Sequence, residues 1–577
     1  MPSAHRTSVQ RGPGWNASAM RRLLLILLAA SCTSPAQISA PDLQSNEQPT
    51  SIKGTVVNSI THAPIPHALV LTPGNTVAMM TDGEGHFEFT LPKSPNEGQF
   101  HTFGPTALIA RKPGFLDDPN GRSLAEAPSA AEVTIPLMPE ALIKGRVISS
   151  EADPTPGITV QIFSRQVQDG MPKWVQMGST RANSNGEFRF AELRPGTYKL
   201  MTTEWMDNDP ATTIPGGQQF GFPPVYYPGV SDFAAAGTIQ LSAGQTVQAD
   251  LPLSRQPYYP VRIPVATPEL NNGMNITVSV QGHRGPGYSL GYDAQDQRIE
   301  GLLPTGNYLV EAATYGQNSI SGSAHLAVAG APAAGSSMTL TPNSSITVHV
   351  TEEFTSTNPE TSETFRFAGG RSFPLHGPRS YLQINAVPAD DFEQQGGSLR
   401  PPNGPSDESL VLENLKPGRY WLRLHSSRGY VAAASMGGVD VLHQPLSVSP
   451  GSSTPIEVTM RDDTAELDGT VAGITQPPIL GSTMSSQLPQ RQAWLYCVPL
   501  PDSSGQFQQI WVSPDGKVNS SPMAPGSYRV LAFADQQPNL PYRDAEAMRA
   551  YESKGQLVHL AAGQKTSVQL QLISGSD

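Results

Sequence analysis

Leu193-Arg194-Pro195-Gly196-Thr197-Tyr198-Lys199-Leu200 decides the fold, because the same pattern returns along the chain. It reappears as Leu303-Pro304-Thr305-Gly306-Asn307-Tyr308, as Leu415-Lys416-Pro417-Gly418-Arg419-Tyr420, and as Ala524-Pro525-Gly526-Ser527-Tyr528. The four tyrosines are about 110 residues apart, the period of a repeated small domain. Pro followed by Gly predicts a type II turn, with Gly taking the positive φ at the second central position. Beyond the turn, Tyr198 and Leu200 alternate with Thr197 and Lys199, the two-residue period of a half-buried strand. Before it, Phe188 and Phe190 alternate with Glu187 and Arg189 after the hairpin-type pair Asn185-Gly186. The stretch therefore reads strand, turn, strand. A tyrosine so placed fits the corner of a β-sandwich, where its hydroxyl ties the chain to its own backbone.

Composition supports an all-β chain. The 577 residues include 53 glycines and 55 prolines, and charged residues make up 15% against the usual ~25%. Many turns and few charges suit an exported protein built of sandwiches. The formal net charge of −12 and the lack of a basic run in the body of the chain exclude nucleic acid as a partner. Arg21 and Arg22, followed by the apolar run Leu23 to Ala30 and then small residues, have the order of a secretory leader. Eight apolar residues are too few to span a bilayer, which takes about 20, so no transmembrane helix is expected in the mature chain. Met20 directly precedes the arginines, leaving Met1 and Met20 as alternative starts. Two processing routes are open: cleavage after Ser34-Pro35-Ala36, or a lipid anchor at Cys32 within Ala29-Ala30-Ser31-Cys32, where Ala stands in the first lipobox position. Cys497 then remains alone, without a disulfide partner, and reads as a buried apolar side chain in the strand Ala493 to Val498.

The period divides the chain into a leader with upstream extension (1–40), a linker (41–50) and five β-sandwiches at 51–140, 141–256, 257–342, 343–462 and 463–577, here called modules one to five. Module two is the most complete copy. Module three has a degraded opening strand, with the low-complexity stretch Gly330 to Ser337 as a loop near its end. Module four carries long polar loops at Thr355 to Ser380 and Pro388 to Ser409. Module five holds the one helical signal, Asp544 to Lys554, with Asp544 as N-cap, Met548 and Tyr551 on one face and Gly555 as the stop. The fold expected is all-β: tandem transthyretin-like or Ig-like sandwiches with one short helix near the C-terminus.

Module one shows Ile52-Lys53-Gly54-Thr55-Val56, Pro64-Ile65-Pro66-His67-Ala68-Leu69-Val70 and Thr81-Asp82-Gly83-Glu84-Gly85-His86-Phe87-Glu88-Phe89, with Phe87 and Phe89 toward its core. This series resembles the carboxypeptidase regulatory-like domain, a transthyretin-like sandwich grouped with carbohydrate-binding-like folds. Modules two and five resemble it too; modules three and four share its period. Module one departs by an insert, Pro92 to Gly104, where the Pro-Gly-x-Tyr strand should fall. The resemblance implies an envelope or extracellular binding protein, periplasmic, on the outer envelope or secreted, with polysaccharide or envelope proteins as partners.

No residue set reads as catalytic, and no metal site or cofactor is expected. His349-Val350-Thr351-Glu352 matches the His-x-x-Glu pair of a zinc carboxypeptidase, but on a strand these two side chains face opposite ways. His86 and Glu88 share a strand face without further ligands. Asp82-Gly83-Glu84 and Asn183-Ser184-Asn185 read as turns rather than calcium loops. Gly287-Tyr288-Ser289-Leu290-Gly291 has the Gly-x-Ser-x-Gly spacing of a serine hydrolase without the helix that should follow. The residues chosen as a ligand platform are aromatic: Trp205, Phe220, Phe222, Tyr226 and Tyr227, in a span stiffened by Pro223, Pro224 and Pro228. Such rings could stack on sugars, or could close the end of their own sandwich. The leading function is non-catalytic binding; a structural spacer or adhesion stalk making protein contacts is the alternative, and a zinc carboxypeptidase the remote one.

Overall fold

A computed structural model describes residues 51–573, except 72–77, 91–106, 117–124, 127–131, 150–156, 208–216, 267–272, 281–282, 316–318, 357–363, 367–371, 393–395, 475–492 and positions 502, 514, 535 and 538. The leader, Cys32, the linker, the insert of module one and the Phe89 side chain lie outside the described residues.

The chain is a tandem array of β-sandwiches with one topology used five times. In each module the opening strand is central in one sheet. These strands are Ser51–Asn58, Ala141–Ser149, Gln256–Ala266, Ser344–Glu353 and Glu466–Ala472. Each pairs antiparallel on one side, with His86–Thr90, Glu187–Leu193, Arg298–Pro304, Leu410–Leu415 and Lys517–Asn519 in turn. On the other side each pairs parallel with the strand that closes its module, as Ser51–Asn58 does with Val133–Leu137 and Glu466–Ala472 with Lys565–Gln571. The second sheet carries the repeated tyrosine on a middle strand: Gly196–Thr202, Gly306–Thr314, Gly418–Ser426 and Gly526–Phe533. Module one has Ala107–Arg111 in that place, without a tyrosine.

The tyrosine bends are the corners that the spacing implied. Tyr198 donates to the Arg194 carbonyl at 2.7 Å, Tyr308 to Pro304 at 2.9 Å, Tyr420 to Lys416 at 2.9 Å and Tyr528 to Ala524 at 2.7 Å. Each ring is buried in the core of its own module. Burial raises the phenols of Tyr198, Tyr308 and Tyr528, the last to about 12, so they remain hydrogen-bond donors. The bend itself is not the expected type II turn. Gly196 and Gly418 have φ of +159°, already extended, rather than the about +80° of that turn. At Gly306 the tyrosine ring folds back beside the glycine, where a Cβ would come within 2.9 Å of the Tyr308 hydroxyl, whereas at Gly526 a Cβ would meet Ser503 at 2.5 Å and at Gly196 and Gly418 the ring lies at ordinary contact distance. The left-handed residue lies earlier, at Glu192 (φ +56°) and Asn414 (φ +63°), where the preceding strand shifts register.

Asn185-Gly186 and Thr81 to Phe87 also differ from expectation. Neither closes a hairpin between paired strands; each crosses between the sheets. Ala78–Met80 pairs with Leu69–Leu71, whereas His86–Thr90 pairs with the opening strand. Asp82 holds its crossing by accepting from the Glu84 and His86 amides, and Asn183 does the same for Asn185 and Glu187. A second glycine position explains the Gly-x-Val strand. A Cβ on Gly54, Gly145 or Gly469 would meet the carbonyl of the parallel partner at 2.2, 1.9 or 2.1 Å, and in modules one and two the Phe87 or Phe188 ring closes over the same glycine.

Module three has a full opening strand, not a degraded one. Its prolines disguise it: Val261, Ile263 and Val265 face inward while Pro260 and Pro264 face out. The parallel partner is broken and pairs at Val261, Arg262, Val265 and Ala266, so neither proline is paired on that side, while on the antiparallel side they stand opposite Leu302 and Arg298. Part of that partner is Ala333–Ala334, inside the stretch read as a loop. In module four, Gly397–Leu399 pairs with a strand of each sheet and joins them into nine strands, within a span expected to be loop. Cys497 is fully buried and its thiol is pushed up to about 12. The helix is shorter than its signal. Asp544 caps Ala545–Met548 through the Glu546 and Ala547 amides, and a 3-10 turn, Arg549–Tyr551, follows.

Candidate functional site

The side chains proposed for chemistry do not converge. His349 pairs with Glu457 at 3.0 Å, while Glu352 accepts from Tyr381 at 2.5 Å. Glu88 pairs with Lys53 across the antiparallel ladder at 2.9 Å, leaving His86 near Asp82 and Glu84. Gly287 to Gly291 runs from the strand His283–Tyr288 into the strand Gly291–Asp293, so no helix follows Ser289. Among the described residues, no three His, Cys, Asp or Glu side chains group as a metal site, and no helix is long and apolar enough to cross a membrane.

The aromatic residues instead assemble contacts between modules. Trp205–Met206 and Gln219–Phe222 are two short strands, and the second pairs with the opening strand of module three. Module two thus lends strands to its neighbour's sheet. Arg255 fixes this crossing, bonding Asp207 through Nε at 2.9 Å and Nη2 at 2.8 Å while its guanidinium lies 4.1 Å over Phe220. Phe222 belongs to the core of module two, and Tyr227 packs against it. Tyr226 is 4% exposed and donates to the Pro286 carbonyl in module three. Trp205, at 37%, is the most exposed of the five. The five are divided among a sheet extension, a core and a junction rather than gathered on one face.

Phe233, which the sequence reading did not single out, is the centre of the junction between modules two and four. Phe163, Trp174, Tyr226 and Phe392 surround it edge-on at 4.6 to 6.0 Å. Lys199 donates to its carbonyl at 2.8 Å and lies over the Trp174 and Phe233 rings at 5.0 and 4.7 Å. Beside them Lys173 donates to the Pro388 carbonyl at 2.6 Å and the Asp390 carbonyl at 3.2 Å. Burial lowers both lysines below their ordinary range; Arg165 adds to the effect at Lys199, and Asp391 opposes it at Lys173. Arg165 pairs with Asp391 at 3.2 Å.

The long hairpin Thr159–Gln168 and Met171–Arg181 carries its tip, Asp169-Gly170, to modules four and five. Both tip residues are left-handed, at φ +53° and +73°. Asp169 Oδ1 accepts from Tyr542 Oη at 2.6 Å and pairs with Arg423 Nε at 2.7 Å. Arg543 donates from Nε to the Asp169 carbonyl at 3.1 Å and lies 4.8 Å over Trp421. The Tyr542 ring occupies the space beside Gly170, where a Cβ would meet it at 2.7 Å, and stacks on Phe507 at 3.9 Å. Modules four and five meet separately, through His443, whose nitrogens contact Asp440 Oδ2 and the Ser503 carbonyl, each at 2.7 Å.

No known protein family matches the sequence, and no characterised protein matches it. Among solved structures, the chain is similar to a streptococcal ancillary pilin at 12% identity over 51% of this chain and all of that one, with a TM-score of 0.18. It is also similar to the full-length RrgB pilus protein from Streptococcus pneumoniae (8% identity, 75% of this chain and 98% of that one, TM-score 0.14). A third is the pilus adhesin SpaC from Lactobacillus rhamnosus GG (10%, 51% and 43%, TM-score 0.16). At these TM-scores the likenesses carry no argument about function.

Proposed function

We propose that this protein is an exported, non-catalytic structural body that works by contacts with other proteins of the cell envelope or its exterior. The observation that carries the reading is the bracing of non-consecutive modules, with the Asp169-Gly170 tip of module two gripped by Arg423 of module four and by Tyr542 and Arg543 of module five. A string of independent binding modules has no need of such contacts; a part that must keep its shape does. Export rests on the leader at Arg21 to Ala36. The strand pattern of modules one, two and five supports membership among carboxypeptidase regulatory-like domains, and polysaccharide binding is the second reading because Trp205 is partly exposed.

The test is retention of the purified mature chain on immobilised envelope proteins and on polysaccharides. The structural reading expects protein retention unchanged by Trp205→Ala and no saccharide signal. Saccharide binding that disappears in Trp205→Ala would replace it with the second reading.

A further inference from the structure

The chain crosses from module two to module three at Glu204, just after the strand Gly196–Thr202 and just before Trp205–Met206. Among the described side chains, none forms an ion pair with Glu204. Oε2 accepts from the Ser289 amide at 3.3 Å, and Oε1 is shut off from solvent without a hydrogen-bond partner. The Tyr258 hydroxyl, from the opening strand of module three, lies alongside, also buried and without a well-formed hydrogen bond. Tyr288, from the hairpin of Met274–Val280 and His283–Tyr288, and Tyr308 from the tyrosine strand complete the surroundings, their rings edge-on at 5.5 Å. The charged pair on the crossing, Arg255 with Asp207, is joined at 2.8 Å. The phenols are all raised by burial, Tyr288 to about 12, so over the working range they are neutral. Module two grips the same hairpin a second time, through Tyr226 to Pro286.

We propose that Glu204 makes the junction of modules two and three a proton-gated joint, closed when the carboxyl is protonated and loosened when it ionises. A protonated carboxyl has an O–H to offer the Tyr258 oxygen and carries no charge into the buried site. An ionised one carries a full charge into the buried site with only neutral donors, the Ser289 amide and the Tyr258 hydroxyl, to offset the lost hydration, and admitting water relieves that cost. Burial raises this carboxyl from 4.5 to about 7, outweighing the lowering by the Ser289 amide and Tyr258. The sign follows: the folded form holds the proton more tightly than the unfolded form, so the closed joint is fully stabilised below the unfolded value and loses that stabilisation as pH rises through about 7.

The test is hydrogen exchange of the full chain from pH 5.5 to 8.5, corrected for the intrinsic change in exchange rate, read at residues 283–290. Protection should fall about tenfold for each pH unit between the unfolded value of 4.5 and the midpoint at about 7, the slope of one released proton, and level off above it, where both forms are ionised. Glu204→Gln keeps the shape and removes the titration, so its protection should be independent of pH. Tyr258→Phe removes the hydroxyl that favours the ionised form and should move the midpoint upward, and it serves if the Gln variant does not fold. Flat protection in the wild-type chain, a pH-dependent fall that survives in Glu204→Gln, or an unmoved midpoint in Tyr258→Phe would overturn the proposal. Loss of retention on envelope proteins with this pH response intact would count against the structural role alone.

Discussion

The middle strand of module one and that of module two occupy the same place in the same topology and are buried differently. In Ala107–Arg111, Leu108 and Ala110 face the core while Ile109 is half-buried and Arg111 exposed. In Gly196–Thr202 every residue from Tyr198 to Thr202 is buried, so both faces are covered. Module five repeats the second case from Val530 to Phe533, under Leu540 and Met548. One covered face makes a sandwich. The second joins the sandwich to added chain or to another module: residues around Phe233 and Phe392 for module two, the segment around the short helix for module five.

The largest effect that would sharpen this contrast is expected at Phe233. Phe233→Ala empties the centre of an aromatic cluster and should cost about 3–5 kcal/mol in denaturant unfolding, with residues 225–238 newly open to protease. An effect below about 1 kcal/mol, the scale of a surface change, would mean that the second face is not closed. Next comes the direct pair. Met201→Ala should cost about 2–4 kcal/mol and Ile109→Ala, at the equivalent outward position, well under that; equal costs would erase the distinction. Asp169→Ala removes the acceptor of Tyr542 and Arg423. Since the Arg423 side chain is 50% exposed, the expected loss is only about 2 kcal/mol, read as faster exchange at residues 540–544. Smallest is Tyr198→Phe, about 1 kcal/mol for one hydroxyl-to-carbonyl bond. Its effect should be confined to modules with the bend, since module one has no such tyrosine to lose.

How much of this could be read from the chain follows from the same contrast. The inward faces were legible because alternation is local: Phe188 and Phe190, Tyr198 and Leu200, and the recurring bend mark a sandwich without reference to anything distant. The outward faces were not, because a residue such as Met201 or Leu531 is indistinguishable from a core residue until the covering segment is known. The signal was nevertheless present. Leu200-Met201-Thr202 and Val530-Leu531-Ala532-Phe533 are unbroken buried runs where a one-sided strand would alternate, and that is the pattern of a strand covered twice. Trp205, Phe220, Phe222 and Tyr226 stood out as aromatic, but their separate placements depend on a pairing with Gln256–Ala266 that no local rule reveals. Proline hid that strand as well. Asp169 and Glu204 could not be found from sequence at all, because their partners lie in other modules.

The central claim is that module two is held against modules four and five rather than tethered to them. In the chain begun after Ala36, which lacks Cys32, spin labels at Met177→Cys and Leu557→Cys test it directly, since both positions are exposed and the native Cys497 is buried and will not take label. The account predicts one narrow distance distribution between the two sites, broadened by Asp169→Ala. A distribution already broad in the otherwise unchanged chain would contradict it.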